Sequence, residues 1–176
     1  MDLRVKRTQK SIKDAFFELR KKKSIDRISV KELSELAMIN KATFYLHYSD
    51  IYDLSEKLEA ALIRRIINDI RVKGYLRTRS DIFALNDTLS KAIISYRDEI
   101  RTLYSGFENN RFIDHLEDKL KEYIFTTFSQ FHNTPEDNII LTFLIQGSYH
   151  AHIRNNRYND ELLRKTTSEL FSKLTV

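Results

Sequence analysis

Helix-breaking residues are almost absent from this chain, whose 176 residues include three glycines and one proline. β-Hairpins and phosphate-binding loops rely on glycine, because their tight turns use positive φ angles that other residues avoid. Neither a G-x-G-x-x-G motif nor a P-loop occurs in the sequence. The chain is therefore predicted to be all-α, and its 41% hydrophobic content is enough for a buried core.

The segment Ser29–Leu54 contains start signals for two short helices. Ser29 and Glu32 form an S-x-x-E capping box, in which each side chain accepts a hydrogen bond from the other residue's backbone N–H. Asn40 is a strong N-cap for a second helix over Lys41–His47, about two turns long. Two short helices with a tight connection are typical of a DNA-binding helix-turn-helix.

Each of these two helices is predicted to have one buried face and one exposed face. In the first helix, the residues expected to be buried are Val30, Leu33, Leu36 and Ala37. Those expected to be exposed are Lys31, Glu32, Ser34 and Glu35. In the second helix, Phe44 and Tyr48 lie one turn apart and are expected to point to the core. The outward residues of the second helix are Lys41, Ala42, Thr43, Tyr45 and His47.

An outward surface of this composition suits contact with double-stranded DNA. Lys41 and Thr43 can bind phosphates or base edges, and the small Ala42 permits approach to a thymine methyl group. Tyr45 and His47 can donate to phosphate oxygens. The residues predicted to contact DNA are Lys31, Lys41, Ala42, Thr43, Tyr45, His47 and Tyr48. The alternative is an ordinary helical hairpin with a solvated face.

The run ISVKELSELAMINKATFYLHYSDIYDL resembles the DNA-binding domain of the TetR family of bacterial transcriptional regulators. The resemblance covers about residues 8–55. It rests on Ile28 and Val30, on the Leu33…Leu36-Ala37 pattern, and on the run Thr43–Tyr48. It implies an N-terminal three-helix head that binds an operator in double-stranded DNA.

Three positions depart from the family pattern. Met38 stands where the family usually has glycine, Asn40–Ala42 replaces a Ser-x-Gly or Ser-x-Ser run, and Ile51 replaces a frequent lysine. The first departure requires Met38 to adopt the backbone of the turn. The third removes a cation that the family often places on phosphate, so the remaining residues of the segment would carry that contact.

Basic residues are concentrated towards the N-terminus. Met1–His47 contains 12 Lys and Arg against 6 Asp and Glu, whereas Tyr48–Val176 contains 18 against 19. Phosphates dominate the affinity of proteins for DNA, so the basic N-terminal arm formed by Arg4, Lys6, Arg7 and Lys10 is a candidate for DNA contact. A second cluster, Arg20–Lys23, is equally compatible with a solubilising surface.

The periodicity of apolar residues predicts the order of the helices. A helix over Thr8–Lys22 completes a DNA-binding head, residues 1–48, and a long helix capped by Ser49 or Asp50 runs to about Lys73, with Gly74 as its stop. The following predicted helices are Ser80–Tyr96, Asp98–Tyr104 (ended by Ser105-Gly106), Asn110–His132, Glu136–Asn155 and Asp160–Leu174. Together they form a helical-bundle body, residues 49–176, for ligand binding and dimerisation.

The helix Glu136–Asn155 is apolar on nearly every side around Ile139–Ile145, so it is expected to be buried on more than one face. The last helix is expected to bury Leu162, Leu163, Leu170, Phe171 and Leu174. The resemblance implies that these two helices pair with their copies in a second subunit to form a homodimer. Small residues at Gly147, Ser148 and Ala151 would permit close helix contact. The alternative is the central helix of a monomeric bundle.

The body is rich in aromatic residues, which line apolar ligand cavities as well as ordinary cores. The residues predicted to bind a small, mostly apolar effector are Tyr96, Tyr104, Tyr123, Phe128, Gln146, Tyr149 and His150. We expect such an effector to release a repressor from its operator. The alternative is a DNA-binding protein or co-activator controlled by a protein partner, without a small-molecule inducer.

Enzymatic, metal-dependent and membrane functions are not expected. There is no cysteine, no H-E-x-x-H motif and no nucleophile elbow. His150 and His152 stand two residues apart and would point to different sides of a helix, so they cannot share a metal. No apolar run approaches the length of a membrane span and no signal-peptide core is present. The predicted protein is a cytoplasmic transcriptional regulator with no cofactor.

Overall fold

The computed structural model describes residues 3–73, 82–104 and 109–173. Those residues form α-helices joined by short turns, with one 3₁₀ turn and no β-strand among them. The helices are α1 (Leu3–Arg20), α2 (Val30–Leu36), α3 (Lys41–Tyr45), α4 (Ile51–Lys73), α5 (Ile82–Leu103), α6 (Asn109–Thr127), α7 (Pro135–Arg154) and α8 (Asp160–Lys173). The predicted all-α fold class is confirmed. None of the described helices is long and apolar enough to cross a membrane.

The chain divides into two compact units. Unit 1 comprises Met1–Leu62 and Asp98–Asn109, and unit 2 comprises Ile63–Arg97 and Asn110–Val176. Both α4 and α5 therefore contribute residues to each unit. The residues of the predicted DNA-binding head, 1–48, belong to unit 1, and the position at which a functional domain ends stays a prediction.

The core of unit 1 is built from apolar stripes on α1, α2 and α4. Its fully buried side chains include Ile12, Phe16, Leu33, Phe44 and Leu54. The C-terminal end of α5 belongs to the same unit and is bonded to α1. Arg20, itself buried, donates from Nη2 to the carbonyl oxygen of Leu103 at 2.9 Å, and Lys13 lies 3.6 Å from the carboxylate of Glu99.

The predicted N-terminal arm is helical in the structure. Arg4, Lys6 and Arg7 lie in the first turns of α1, which begins at Leu3 instead of Thr8. No glycine or proline interrupts this stretch, and the Thr8 hydroxyl donates to the carbonyl oxygen of Arg4 at 3.1 Å within the helix. The basic side chains are exposed, but a helix holds them instead of an extended arm.

In unit 2, α7 begins as the sequence predicts. The Thr134 hydroxyl accepts from the backbone N–H of Asp137 at 3.1 Å, and Pro135 occupies the first helical position, where no N–H is needed. The Asp137 carboxylate also accepts from the backbone N–H of His132 at 2.8 Å, which holds the turn before the helix. Asn133 in that turn has φ of 56°, a conformation that asparagine tolerates.

Other predicted boundaries in the body were wrong. The two helices predicted on either side of Arg97 form one helix, α5, over Ile82–Leu103, because the buried stripe continues past Arg97 to Ile100 and Leu103. The predicted start at Ser80 lies outside the described residues. Helix α6 ends at Thr127 instead of His132. The predicted stops at Gly74 and at Ser105-Gly106, and the end of the last helix at Leu174, lie outside the described residues.

Candidate functional site

The two short helices of the Ser29–Leu54 segment are present and begin at the predicted caps. The Ser29 hydroxyl accepts from the backbone N–H of Glu32 at 3.2 Å, and the Glu32 carboxylate forms an ion pair with Lys23. The Asn40 side chain accepts from the backbone N–H of Thr43 at 2.7 Å and from its hydroxyl at 2.8 Å. Both helix starts are therefore set by local hydrogen bonds that the sequence encodes.

The connection between α2 and α3 requires a left-handed backbone conformation. Met38 has φ of 54° and its side chain is 91% exposed. A side chain with a Cβ atom is disfavoured at this φ, which explains why glycine would suit the position. Met38 does adopt the conformation that the turn needs, and the surrounding hydrogen bonds, such as Ile39 N–H to the Ser34 carbonyl at 3.0 Å, hold it there.

Helix α3 is shorter than predicted, because it ends at Tyr45 and is followed by a turn through Leu46 and His47. Lys57 of α4 fixes that turn. Its ammonium group donates to the carbonyl oxygen of His47 at 3.2 Å and to the Asp53 carboxylate at 2.9 Å. It also lies 5.2 Å from the centre of the Tyr48 ring, a favourable cation–π distance.

Most residues predicted to contact DNA lie on the outside of unit 1. Lys31, Lys41 and Ala42 are exposed, Tyr45 is 57% exposed, and Thr43 and His47 are half-buried. Tyr48 is buried, with its ring 5.6 Å from that of Phe44, and burial raises the pKa of its hydroxyl. Tyr48 thus lies in the core, as its one-turn spacing from Phe44 predicts, and this burial opposes the contact with DNA that was also predicted for it.

Helix α2 is rotated relative to the prediction. Ser34, expected to be exposed, is buried, whereas Leu36, expected to be buried, is 49% exposed. The stripe that faces the core is Val30, Leu33, Ser34 and Ala37, which follows the i, i+3, i+4, i+7 spacing of a helix face. Leu36 is hydrophobic, but its position does not fit the i, i+3, i+4, i+7 spacing of the buried face, and hydrophobicity alone led to the wrong prediction.

Two exposed residues beside α3 were not among the predicted contacts. Leu46 is 81% exposed and Tyr52, in the first turn of α4, is 54% exposed. The sequence contained a signal for Leu46, because Phe44 and Tyr48 point inward one turn apart and the residues between them must point outward. With Lys41 and Tyr45, these side chains form what we call the α3 face: Lys41, Ala42, Tyr45, Leu46 and Tyr52.

The second basic cluster, Arg20–Lys23, mainly has internal partners. Arg20 is buried against the end of α5, Lys21 pairs with Glu18 at 2.7 Å, and Lys23 pairs with Glu32. The pKa of the Glu18 carboxyl is lowered, chiefly by its hydrogen bond from Lys21. Because Arg20, Lys21 and Lys23 all have partners within the chain, a structural role is favoured over DNA contact.

Three of the aromatic residues predicted to bind an effector, Tyr96, Tyr123 and Phe128, contact other side chains of unit 2. The Tyr96 hydroxyl donates to Asp69 at 3.1 Å, and the guanidinium of Arg65 lies 5.0 Å from the centre of its ring. Tyr123 and Phe128 meet edge to face at 5.6 Å. The structure therefore brings Tyr123 and Phe128 together.

The polar members of the predicted effector site differ in burial along α7, although the rings of Tyr149 and His150 meet edge to face at 5.2 Å. Gln146 donates to the Glu117 carboxylate at 2.8 Å, whereas Tyr149 is buried, with its ring 5.8 Å from that of Phe112. Burial raises the pKa of the Tyr149 hydroxyl to about 12. Burial is also the main cause that lowers the pKa of His150, and the nearby charge of Arg154 lowers it further.

Tyr104 differs from the other predicted effector residues in its location. It is buried in unit 1, at the end of α5, whereas the remaining predicted residues belong to unit 2. Nothing in the sequence pattern indicates that the end of α5 packs with the N-terminal helices, so Tyr104 could not be told apart from the other aromatic residues.

A second exposed surface lies on α7 and α8 and is apolar. Ile139, Phe143, Leu162 and Leu170 are 69%, 62%, 54% and 57% exposed. The Phe143 ring lies 6.2 Å from that of Phe171, so α7 and α8 are in contact beside the exposed Phe143. The prediction that Leu162 and Leu170 are buried was wrong for the single chain. We call these four residues the α7–α8 face.

The chain matches no protein-family model and no curated protein at a significant level of similarity.

Proposed function

We propose that this protein is a cytoplasmic, sequence-specific DNA-binding transcriptional regulator of the TetR type, acting as a homodimer and as a repressor. The observation that carries the proposal is the α3 face. A short helix whose start is fixed by Asn40 displays a cation, an alanine and an exposed tyrosine, while Phe44 alone of its residues is buried.

The composition of the α3 face supports contact with nucleic acid. Lys41 supplies a positive charge for phosphate, and the Tyr45 hydroxyl can donate to phosphate oxygens. Ala42 leaves room for a base edge, and the exposed Leu46 can pack on sugars or a thymine methyl group. The surplus of basic residues over Met1–His47 adds the long-range attraction that DNA-binding proteins use.

The rigidity of the segment supports readout of sequence. A side chain distinguishes base pairs only if its backbone is held in register with the groove, and hydrogen bonds fix both ends of α3. Asn40 caps its start, and Lys57 binds the turn at His47 behind its end. Thr43, whose hydroxyl donates to Asn40, is proposed to contribute both to the cap and to contact with bases.

The α7–α8 face supports the homodimer. Exposed apolar side chains that share one surface usually mark an interface, and a second copy of the same chain would bury Ile139 and Phe143 against their equivalents. Two heads related by two-fold symmetry would read two half-sites of a near-palindromic operator.

The proposed effector is a small, mostly apolar molecule that binds unit 2 near Tyr123, Phe128 and Tyr149. To release DNA, it must bind the DNA-incompetent arrangement more tightly, and a coupling of about 1–3 kcal/mol is usual. Its support is the aromatic composition of this region. Screening apolar compounds for loss of operator binding tests this part.

Selection of duplexes from a random pool by the purified protein tests the DNA-binding proposal. We expect enrichment of a near-palindromic site. Tyr45→Ala should lose affinity for that site, while Tyr158→Ala, which removes a 47% exposed tyrosine from unit 2, should not. Enrichment of no sequence, or equal affinities for both variants and the wild type, would contradict the proposal.

A further inference from the structure

Two hydrogen bonds join Asn40 to Thr43 in unit 1, and together they determine what the Thr43 hydroxyl can still do. The backbone N–H of Thr43 lies 2.7 Å from Oδ1 of Asn40, and the Thr43 hydroxyl lies 2.8 Å from the same oxygen. A backbone N–H only donates, so its partner on Asn40 must be the amide oxygen and not the amide nitrogen. The first bond therefore fixes the orientation of the Asn40 side chain.

The second bond fixes the proton of the Thr43 hydroxyl. An amide oxygen has no proton to give, and a threonine hydroxyl has one proton and two lone pairs. The Thr43 hydroxyl therefore donates its only proton to Asn40. Towards any further partner, the oxygen of this hydroxyl can only accept.

A hydroxyl in this state cannot bind a phosphate. The phosphate oxygens of DNA accept hydrogen bonds from proteins and have no proton to donate. To donate to a phosphate, the Thr43 hydroxyl would have to break its bond to Asn40. Of the two contacts expected for Thr43, with a phosphate or with a base edge, only the base edge is compatible with this hydrogen bond.

The major groove of DNA offers two kinds of donor to such an acceptor. They are the N6 amino group of adenine and the N4 amino group of cytosine, whereas guanine and thymine present the oxygens O6 and O4. Thr43 is half-buried, but its bond to Asn40 is exposed, so the hydroxyl is accessible to a partner. The neighbouring Ala42 is exposed and small, which leaves room for the edge of a base pair.

We infer that Thr43 is a specificity-determining residue, whose hydroxyl oxygen accepts a hydrogen bond from the amino group of one adenine or cytosine in each half-site. Asn40 is a positioning residue, because it holds the hydroxyl proton and so excludes bases that offer only an acceptor. This role of Thr43 rests on the proposed function, since it requires double-stranded DNA at the α3 face. It adds the class of base that the face recognises.

Bases without the amino group test the contact. In the duplex that the wild type selects, each adenine in turn is replaced by purine and each cytosine by pyrimidin-2-one, which lack only that group. At one position in the half-site, the replacement should weaken wild-type binding about fivefold more than it weakens binding by Thr43→Val. The natural base at that position distinguishes adenine from cytosine.

Thr126→Val is the matched control for Thr43→Val. It removes an exposed hydroxyl that also donates within the chain, to the carbonyl oxygen of Glu122 at 2.7 Å, but in unit 2. Its response to each altered base should equal that of the wild type. Weaker pairing of the altered bases affects all three proteins alike, so the comparison isolates the Thr43 hydroxyl.

Asn40→Gly tests whether Asn40 sets the direction of the hydroxyl. Glycine is nearly as good an N-cap as asparagine, so α3 should still form, but the Thr43 hydroxyl is then free to donate as well as to accept. Discrimination against guanine or thymine at that one position should fall about fivefold, with wild-type discrimination at the other positions. A loss spread evenly over all positions would show that Asn40 only holds the helix and would overturn its role in specificity.

Failure of the proposed function and failure of this role give different results. If the wild type selects no duplex, DNA binding itself is contradicted, together with the role of Thr43. If it selects a duplex but no amino group distinguishes the wild type from Thr43→Val, the Thr43 hydroxyl does not accept from a base, although DNA binding stands. Should Thr43→Val fail to fold, the comparison of Asn40→Gly with the wild type decides.

Discussion

The α3 face of unit 1 and the α7–α8 face of unit 2 both expose large apolar side chains, yet their compositions differ. Leu46 and Tyr45 are accompanied by Lys41, whereas Ile139 and Phe143 are accompanied by further apolar residues of α8. Cations interleaved with aromatic and aliphatic groups suit a polyanion with apolar base edges. A cluster of exposed large apolar side chains suits another protein surface, which we propose is that of a second copy of the chain.

Each unit contains a residue whose type is not the most stable for its backbone. Unit 1 has Met38 in a left-handed conformation that favours glycine, whereas unit 2 has Gly147 inside helix α7, where alanine would be favoured. At each position, a different residue type would make the folded protein more stable. Such departures are expected where a functional contact constrains the choice of residue.

Introducing the same charged side chain into each face should have the largest effects. Ile139→Asp places a carboxylate in the proposed dimer interface and should raise the dimer dissociation constant about thirtyfold or more. Leu46→Asp places one beside DNA phosphates and should weaken DNA binding about tenfold or more, because like charges repel. Sedimentation measures the first effect, and titration of a single half-site duplex measures the second.

The two variants serve as controls for each other, because each should change either dimerisation or DNA binding and leave the other unchanged. Leu46→Asp should remain a dimer, and Ile139→Asp should bind an isolated half-site as the wild type does. If both variants dissociate the dimer, or if neither changes its predicted property, the assignment of one face to DNA and the other to a second copy is wrong.

Acid should destabilise unit 2 through His152. Burial lowers the pKa of this histidine in the folded state, so below about pH 6.5 the unfolded chain binds more protons than the folded protein does. Stability is therefore retained above that pH and decreases as pH falls towards the folded-state pKa. Urea unfolding between about pH 5 and 7.5 measures the slope.

The variant His152→Gln should reduce this pH dependence. His150→Gln is the comparison, since the pKa of His150 is also lowered by burial but its side chain is half-buried. We expect a larger reduction for His152→Gln. Wild-type pH dependence in His152→Gln would contradict the role assigned to this residue.

Gly147→Ala tests whether the glycine serves a dimer. An added Cβ would lie 3.9 Å from Cζ of Phe171, an ordinary contact, so alanine fits within the chain. In the Ile139→Asp background, where dimerisation is expected to be weakened, it should stabilise the protein by about 1 kcal/mol through helix propensity. In the otherwise wild-type chain it should weaken dimerisation if α7 approaches its copy at this residue. Equal stabilisation in both backgrounds would show that Gly147 does not lie in the proposed dimer interface.

Met38→Gly should give the smallest effect, a gain of about 0.5–1 kcal/mol, since relief of the left-handed conformation exceeds the entropy that glycine adds to the unfolded chain. No packing is lost, because the side chain is 91% exposed. Met38→Val is the control and should destabilise, since branched residues resist this φ. Thermal unfolding measures both, and a destabilised Met38→Gly would contradict the strain assigned to the turn.

Features set by neighbouring residues could be predicted from the sequence. The caps at Ser29, Asn40 and Thr134 depend on hydrogen bonds to residues three positions away, and all three are present. The start of α4 at Ile51 depends on the same kind of local bond. Asp50, one of the two predicted caps, accepts from the backbone N–H of Asp53 at 2.8 Å.

Features set by distant residues could not be predicted. Arg20 bonds to Leu103, which lies 83 positions away, and Ser148 bonds to Asn86, which lies 62 positions away. Hydrophobic periodicity marks which side of a helix is buried but not which element covers it. For this reason the sequence indicates a surface cluster at Arg20 and does not reveal the buried hydrogen bond between Ser148 and Asn86.

The salt dependence of DNA affinity tests the central claim, that the α3 face contacts phosphates, most directly. Lys41→Ala removes one cation from that face, so its plot of log affinity against log salt should be shallower than the wild-type plot by about 0.9. Lys119→Ala removes an exposed cation from α6 of unit 2 and should leave the slope unchanged. Equal slopes for Lys41→Ala, Lys119→Ala and the wild type would contradict the account.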